Sequence, residues 1–320
     1  MADESTGAAE ISNGFLAIPA EACAPMPRWL SSSEFKRRLY GTDTHSIEGL
    51  ELVQEVFGEG ARSFCHMHSL LVVKPEALVA RQLKTILTWL EEVGFRVVDA
   101  VPFQFSPAIT RGLWGYHWNA VTGAHRRAID LLVESGMSIA ILVTATEDSM
   151  VPASLRLADK KGHADPTRRR PGQLRFELGN FNPLLNHVHS PDEPIDVLRE
   201  LAVVLAPAQY SLVVEAAKRG QRRDIRHLES ELAASLYPAA GPRQPLDLIE
   251  VLAVIEDSIG PVDIHRLDLD DLLRRCGEAC LTLSKWQRIV LTTASTASMR
   301  PDIKRLVPST SVSDWLDFEV

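Results

Sequence analysis

The sequence predicts an α/β protein: a ferredoxin-like α/β sandwich with a four-stranded antiparallel sheet, and mainly helical N- and C-terminal parts. Between residues 64 and 207, strand and helix patterns follow one another in the order β-α-β-α-α-β-α-β-α. Such alternation is typical of helices packed on a single sheet. On both sides of this region, apolar residues recur at helical spacing and strand patterns are scarce.

Four short apolar stretches are the predicted strands. They are "HSLLVV", which ends at a Lys-Pro pair, then "FRVVDAVPFQF", "MSIAILVTAT" and "GQLRFELGNF", the last with some alternation. The helices between them are predicted in "ARQLKTILTWLEEVGF", "PAITRGLWGYHWNAV", "AHRRAIDLLVESG" and "VPASLRLADKKG". The last helix, "DEPIDVLRELAVVLA", opens with Asp and Pro, as helix N-termini often do.

The predicted domain organisation has four parts. Residues 1–26 are small, polar and acidic, and we expect a flexible arm there. Residues 27–63 form a helical N-terminal extension, 64–207 the α/β domain, and 208–320 a helical C-terminal domain. In this last part, "AQYSLVVEAAKRGQRRDIRHLESELAASLY" is predicted as one long helix, followed by the linker "YPAAGPRQP".

The composition excludes several classes of protein. Hydrophobic residues make up 45% and charged residues 24%, as in a soluble globular protein. The net charge of -8 argues against non-specific nucleic-acid binding, and no apolar run is long enough to cross a membrane. The N-terminus does not have the residue order of a signal peptide. Four cysteines are too few for a disulfide framework, so we expect reduced thiols and a cytoplasmic location.

The segment "NHVHSPDEP" places His187 and His189 at a predicted strand-to-helix junction, a usual position for exposed chemistry in α/β folds. A neutral histidine can accept a phosphoryl group when a carboxylate fixes its other ring nitrogen. Glu200 lies about three helical turns further on, so it returns to the helix face of the junction. Two alternatives stay open: both histidines are ordinary solvated loop residues, or Asp192 only caps the helix.

Two groups of basic residues precede this junction. Residues 156–175 contain seven Lys or Arg against two Asp. Phosphoryl transfer needs such positive charge, because its transition state spreads negative charge over several oxygens. Lys74 ends a predicted strand, where side chains point into the crevice in which α/β folds bind ligands. The alternative for the basic segment is a solvated loop that contacts a partner protein.

In their joint order and spacing, these motifs resemble the nucleoside diphosphate kinases over a little under half of the chain. "LLVVKPEAL" is similar to the family's first strand with its Lys-Pro-Asp-Gly, and "GHADPTRRRPGQLR" matches its Gly-x-Thr-Asn-Pro-x-x-x-x-Pro-Gly-x-x-Arg in length. "NHVHSPD" resembles its Asn-x-x-His-Gly-Ser-Asp. The resemblance implies a ping-pong reaction: ATP or another nucleoside triphosphate, with Mg²⁺, phosphorylates a histidine, and the phosphoryl group passes to a nucleoside diphosphate. It also implies a homo-oligomer.

The resemblance implies a role for each matching residue. His189 takes the place of the phosphorylated histidine, whereas His187 falls where the family has an aliphatic residue. Glu200 matches the glutamate that orients the histidine, and Lys74 matches a lysine that binds phosphate oxygens. The predicted nucleotide-binding residues are Lys74, Arg175, Asn186, Tyr116, His125 and Arg156. No protein ligands for a resident metal are predicted.

The departures from the family pattern concern the nucleotide site. The family's phosphate-binding Thr is Ala164 here, and its arginine falls on Ala158, for which Arg156, Lys160 and Lys161 are the candidate replacements. The pair of phenylalanines that stacks on the base is replaced by "HRRA". Ser-Pro follows the histidine, and one extra residue separates it from the preceding Arg. The phosphate chemistry is therefore expected to survive better than the base site.

Three functions are consistent with this pattern. The first is a phosphotransferase that uses a phosphohistidine, with a nucleoside diphosphate or another phosphorylated metabolite as acceptor. The second is a non-catalytic descendant that binds a nucleotide and regulates a partner through its helical extensions. The third is a nucleotide-dependent enzyme of another reaction type, built in the same crevice.

Overall fold

The computed structural model describes residues 25–179, 181–263, 267–296, 300 and 302–318. The predicted flexible arm, residues 1–26, lies outside these ranges apart from its last two residues. In the described ranges, every helix is too short or too polar to span a lipid bilayer.

A four-stranded antiparallel sheet is the centre of the structure, as the sequence predicts. Its strands are β1 (His68–Val73), β2 (Phe95–Gln104), β3 (Met137–Ala145) and β4 (Val188–His189). Across the sheet the order is β2-β3-β1-β4, and neighbouring strands pair in antiparallel register. The short strand β4 pairs with β1 so that His189 lies opposite Val72.

Helices surround this sheet and form both flanking parts of the chain. The described α-helices are α1 (Glu34–Tyr40), α2 (Thr44–Phe57), α3 (Ala61–Met67), α4 (Pro75–Val79), α5 (Leu83–Glu92), α6 (Pro107–Leu113), α7 (Gly123–Val133), α8 (Ala153–Lys161), α9 (Leu174–Glu177), α10 (Pro194–Val204), α11 (Pro207–Lys218), α12 (Ile225–Ala240), α13 (Leu248–Ile259), α14 (Leu269–Glu278), α15 (Lys285–Ser295) and α16 (Val312–Leu316). A 3₁₀ turn, Gly115–Ala120, joins α6 to the segment before α7.

The two faces of the sheet bury alternate residues of each strand, as the pleat requires. On one face, Leu70 and Val72 of β1 pack with α2, α10 and α11 in a hydrophobic cluster. On the other, Leu71 and Val73 pack with α5, α8 and α12. Since residues paired across two strands share a face, His189 projects to the side of Val72, where α10 lies.

The fourth strand predicted in "GQLRFELGNF" is wrong. That stretch contains the short helix α9, and the strand is β4, which carries His189. Leu174 and Leu178 are four residues apart, so they share one face of a helical turn, and both pack in the second cluster. The apolar residues at 174, 176 and 178 alternate with polar ones as in a strand, but the pair 174 and 178 also has the four-residue spacing of a helix.

The single long helix predicted after residue 207 is also wrong, because α11 and α12 are separate helices. Gly220 has a φ of +69°, a left-handed conformation that ends helices readily. The residues that follow it cover the edge of strand β2: the Arg223 amide donates to the Val97 carbonyl at 2.8 Å, and Gln221 Nε2 donates to the Val98 carbonyl at 3.2 Å.

The N-terminal extension is fastened to α10 by a buried network of charges. Lys36 on α1 lies 2.9 Å from a carboxylate oxygen of Glu193 and 2.5 Å from one of Asp196. The hydroxyls of Ser31 and Tyr40 donate to the same two carboxylates. Burial lowers the pKa of Lys36, but the attraction of Asp196 and Glu193 outweighs it and raises the pKa above its ordinary value.

Lys36→Met is expected to lower the free energy of unfolding by about 3–5 kcal/mol, because it leaves two buried carboxylates without a counter-charge. Urea unfolding followed by tryptophan fluorescence measures the loss. Arg38→Met is the matched control on the same helix. The Arg38–Glu34 pair is solvent-exposed, with 37% and 64% of the side chains accessible, and its loss costs less than about 1 kcal/mol. Equal losses in the two variants would contradict a structural role for the network.

The C-terminal helices pack against the α/β domain rather than standing apart from it. Residues of α13, α14 and α15 form a hydrophobic cluster that also includes Val79 of α4 and Leu132 of α7. Beyond α15, residues 302–316 run back over the domain, and we call this segment the C-terminal strap. Because both extensions share clusters with the sheet domain, the predicted boundaries near residues 63 and 207 stay predictions.

Candidate active site

His189 and Glu200 form a hydrogen-bonded pair between the end of β4 and the second half of α10. The distance from His189 Nε2 to Glu200 Oε2 is 2.8 Å, and the two side chains are 18% and 9% exposed. The edge of the Trp114 ring lies against the imidazole, with 5.7 Å between ring centroids. Among the described residues, none bonds to His189 Nδ1. The pair therefore leaves one ring nitrogen available to a substrate.

The surroundings of the pair keep the histidine neutral. Burial lowers the pKa of His189 well below its usual range, and the positive charges of Lys161 and Arg175 add to this effect. Burial also raises the pKa of Glu200, with further help from the charge of Asp196. The charges of Arg199 and Lys161 oppose this rise, and with Glu200 as the carboxylate the shared proton lies on Nε2. In this tautomer Nδ1 carries the lone pair.

Lys161, the last residue of α8, is buried beside His189. Its Nζ donates to the carbonyl of Ser190 at 3.1 Å and to the Ser190 hydroxyl at 2.7 Å. Burial, reinforced by the charge of Arg175, lowers the pKa of Lys161 to about 7. Of the three candidate replacements for the missing arginine, Lys161 is the one brought to His189: Lys160 is exposed, and Arg156 donates to the carbonyl of Glu147.

Arg175 lies beneath the site with its guanidinium almost fully bonded to backbone carbonyls. It donates to Gly162 at 3.0 Å, to Val188 at 2.5 Å and to Asn186 at 3.2 Å, and it also reaches the Asn186 side-chain oxygen at 3.2 Å. Burial first, and the charge of Arg169 second, lower the pKa of Arg175 to about 9, so it stays charged at neutral pH. Its charge thus supports the site without requiring contact with a substrate.

Lys74 follows β1 and is neutralised by a neighbouring carboxylate. Its Nζ lies 2.7 Å from Glu76 Oε1 and donates to the Leu184 carbonyl at 3.1 Å. Glu76 is fully buried and also accepts from the backbone amide of His187 at 3.1 Å. Burial lowers the pKa of Lys74, although Glu76 opposes the shift. The ion pair therefore anchors the segment before β4 and limits the contribution of Lys74 to phosphate binding.

His187 differs from His189 in its exposure and in its hydrogen-bond partners. It is fully buried, has a φ of +64°, and its two ring nitrogens have no partner among the described residues. Burial and the charge of Lys74 lower the pKa of His187 to about 3. Its ring packs edge-on against Phe181, at 5.4 Å between centroids. Neither histidine is a solvated loop residue, and His189 is the one suited to react.

The remaining predicted nucleotide-binding residues lie in three different settings. The Tyr116 hydroxyl donates to Asp43 of the N-terminal extension at 2.8 Å, and the Arg199 guanidinium lies over its ring. His125, on α7, is largely buried, and its Nδ1 has no partner in the described ranges. The Arg156 guanidinium is turned toward the end of β3.

Sequence reasoning did not single out Trp114 or Glu76, and it left Lys161 as one candidate among three. For Trp114, the aromatic-rich "GLWGYHW" was the available signal. A cavity of about 430 Å³, lined by Pro75 and Trp286 among others, lies elsewhere between α4, α12 and α15. None of the residues that line this cavity contacts His189. Hydrogen bonds and charge therefore locate the His189 site, and the shape of the cavity does not.

A protein-family model described as "Nucleoside diphosphate kinase" matches residues 67–210. The matched part is less than half of the chain, and it contains the four strands as well as His189 and Glu200. The chain therefore contains a divergent nucleoside diphosphate kinase-like domain, as the sequence motifs predicted, with helical segments on both sides.

Solved structures of nucleoside diphosphate kinases are similar to part of the chain. The nucleoside diphosphate kinase of Aquifex aeolicus is 21% identical, with 44% of this chain and 96% of that chain covered and a TM-score of 0.38. The NDP kinase of Pyrobaculum aerophilum is 16% identical, with 44% and 97% covered and a TM-score of 0.39. The enzyme of Encephalitozoon cuniculi is 16% identical, with 43% and 87% covered and a TM-score of 0.38. None of the curated proteins compared matches the chain.

Proposed function

We propose that this protein is a phosphotransferase that carries the γ-phosphoryl group of a nucleoside triphosphate on Nδ1 of His189. The acceptor is a nucleoside diphosphate or another phosphorylated metabolite. One observation carries the proposal: a neutral histidine is held by Glu200 through Nε2 among buried cations, so that Nδ1 is unbonded. A nucleophile needs this combination of fixed tautomer and positive surroundings.

In the first half-reaction, the Nδ1 lone pair attacks the γ-phosphorus. The bond between that phosphorus and the bridging oxygen breaks, and its electron pair leaves with the nucleoside diphosphate. The imidazole gains positive charge, which the Glu200 carboxylate stabilises through the Nε2–H bond. Lys161 and Arg175 stabilise the negative charge on the transferring oxygens. In the second half-reaction, an acceptor oxygen attacks phosphorus, and the N–P bond returns its electrons to Nδ1.

One carboxylate near His189 is suited to bind the Mg²⁺ that accompanies a nucleotide. The Asp192 carboxylate is close enough for its charge to raise the pKa of His189, and none of the described residues donates a hydrogen bond to it. Asp192 is therefore the residue that would hold the cation near the phosphates, where Mg²⁺ supplies charge neutralisation. Carboxylate and phosphate oxygens are the ligands that this cation prefers.

The contacts around the nucleotide site support an acceptor range wider than nucleoside diphosphates. The Asn186 side chain is bonded to Arg175 and to the Pro183 carbonyl, and the Tyr116 hydroxyl is bonded to Asp43. Groups already engaged in this way offer little to a ribose or a base, so they give weak selection of the acceptor.

A nucleotide-binding regulator is the second candidate function. The pairing of Lys74 with Glu76 and the bonding of Arg175 to carbonyls favour it, because both cations would have to change partners to contact a phosphate directly. This function predicts nucleotide binding without a covalent intermediate.

Incubation of the full chain with γ-labelled ATP and Mg²⁺ separates the two functions. The phosphotransferase predicts a label that is labile in acid, stable in alkali and located on the peptide that contains His189. Discharge of this label by candidate diphosphates and phosphorylated metabolites would then identify the acceptor. Absence of label from protein that binds ATP would contradict the phosphotransferase and support the regulator.

Nucleotide affinity is expected to fall as the pH rises above about 7, because the ammonium form of Lys161 binds phosphate and is lost through its lowered pKa. The loss is at most about tenfold per pH unit. Titration with Mg²⁺ and a non-hydrolysable ATP analogue between about pH 7.5 and 9.5 measures it, since phosphates are already ionised there. Lys161→Arg keeps the charge and should flatten the dependence. An equal slope in both proteins would exclude Lys161 as the cause.

A further inference from the structure

The C-terminal strap is attached to the 3₁₀ turn Gly115–Ala120 by hydrogen bonds on both sides of one arginine. Asn119 Nδ2 donates to the Lys304 carbonyl at 2.8 Å, and the Leu306 amide donates to Asn119 Oδ1 at 3.2 Å. Just before the strap, the Arg300 amide donates to the Ala120 carbonyl at 2.8 Å. The bonds at residues 304 and 306 fix the position of the residue between them, Arg305.

This turn borders the candidate active site. The Trp118 ring, next to Asn119 in the chain, lies 6.3 Å from the Trp114 ring, and Trp114 lies 5.7 Å from His189. His117, on the same turn, is close enough for the charge of His189 to act on it. The backbone of residues 304–306, bonded to Asn119, thus lies against the turn that borders the His189 site.

The other end of the strap is attached to α8. Trp315 and Val312 pack against Val151 and Leu155, in a cluster that includes the N-terminal half of α8. The last residue of that helix is Lys161, which bonds to Ser190 next to His189. The strap therefore connects two elements near the His189 site, the 3₁₀ turn and α8, and Arg305 lies at its 3₁₀-turn end.

Arg305 has the electrostatic setting of an anion-binding residue. Its side chain is exposed, and no carboxylate of the described residues pairs with it. Burial lowers the pKa of His117 to about 4 and also lowers the pKa of His125 and of His163, and the positive charge of Arg305 contributes to each shift. These histidines come from the 3₁₀ turn, from α7 and from the loop after α8. The charge of Arg305 thus acts on histidines of three different elements.

We propose that Arg305, carried on the C-terminal strap, binds phosphate oxygens of the nucleotide at the rim of the His189 site. This inference rests on the proposed function, because it assumes that a nucleotide binds at the His189 site. It assigns the phosphates of that nucleotide to a residue outside the nucleoside diphosphate kinase-like domain. A guanidinium offers several N–H donors in a planar fork, and this geometry fits phosphate oxygens. The strap thereby completes the positive surroundings that the buried Arg175 cannot provide by direct contact.

The test measures binding of a non-hydrolysable ATP analogue to the full chain in the presence of Mg²⁺, by isothermal titration calorimetry. Arg305→Gln is expected to weaken binding about tenfold, as the loss of a charge-assisted hydrogen bond would. Arg305→Lys should restore part of the affinity. Lys304→Gln is the matched control: it removes the same charge from the neighbouring exposed position and should leave the affinity within about twofold of the wild type.

Equal weakening by Arg305→Gln and Lys304→Gln would overturn the proposal, because it would indicate a general field effect. Unchanged binding in Arg305→Gln would overturn it as well, and so would absence of binding to the wild type. The labelling of His189 is scored separately. A protein that binds the analogue through Arg305 but never becomes labelled would contradict the phosphotransferase and leave the role of Arg305 intact. Thermal unfolding of each variant confirms that the exposed substitutions leave the fold unchanged.

Discussion

His189→Ala is expected to abolish covalent labelling by γ-labelled ATP, with a loss of at least about 10³-fold in the rate of phosphoryl transfer. Among the described residues near His189, His187 is fully buried and Lys161 is bonded to Ser190, so neither is placed to replace the lost nitrogen. Acid-labile, alkali-stable label is measured on the intact protein and on its peptides, and nucleotide binding is measured in parallel.

Two control variants make this result specific. His187→Asn keeps a residue type that tolerates the positive φ and should retain the label, because His187 takes no part in the transfer. His227→Ala removes a histidine from α12, outside the residues that surround His189, and should behave as the wild type. Label that survives His189→Ala, or that disappears in His187→Asn from folded protein, would assign the phosphoryl group to a different residue.

Glu200→Gln is expected to lower the rate of labelling by about 10²–10⁴-fold while leaving nucleotide affinity within a few-fold of the wild type. A carboxylate only accepts the Nε2–H bond, whereas the amide can donate to Nε2 and thereby move the ring proton to Nδ1. The nucleophilic lone pair is then lost. The amide also cannot stabilise the positive charge that develops on the ring during transfer. Single-turnover labelling at saturating ATP separates this loss from any loss of binding.

Glu215→Gln is the matched control for the glutamate variant. Glu215 lies on α11 in an exposed pair with Arg219, so the same substitution there should leave the labelling rate unchanged. If Glu200→Gln instead reduced affinity and left the rate at saturation intact, the carboxylate would not orient the histidine. If the protein is instead a regulator without transfer chemistry, neither the wild type nor either glutamate variant would become labelled.

Much of the site could be predicted because it depends on local spacing. His189 ends β4 and Glu200 lies about two helical turns into α10, eleven positions further along the chain, so a short strand-to-helix connection brings the two side chains together. By contrast, Lys161 follows Lys160 directly. Which of the two side chains is buried depends on how the end of α8 meets Ser190, and this is tertiary information.

The errors in the fold have similar physical causes. Strand β4 has only two residues, too few for a periodic pattern to show, and its position is fixed by pairing with β1. The predicted long helix runs through Gly220, because a single glycine does not reveal whether the chain continues or turns. The sequence does not reveal the buried charges of the N-terminal extension, because Lys36 and Asp196 are far apart in sequence and meet only in the folded chain.

The covering of strand β2 bears on self-association. An uncovered outer strand is a template onto which a second copy of the same chain can add its own strand about a two-fold axis. Here the Val97 and Val98 carbonyls already accept hydrogen bonds from Arg223 and Gln221 of the same chain. A second copy that added its strand at this part of β2 would have to displace these contacts, so we expect a homo-oligomer of this protein to use other surfaces.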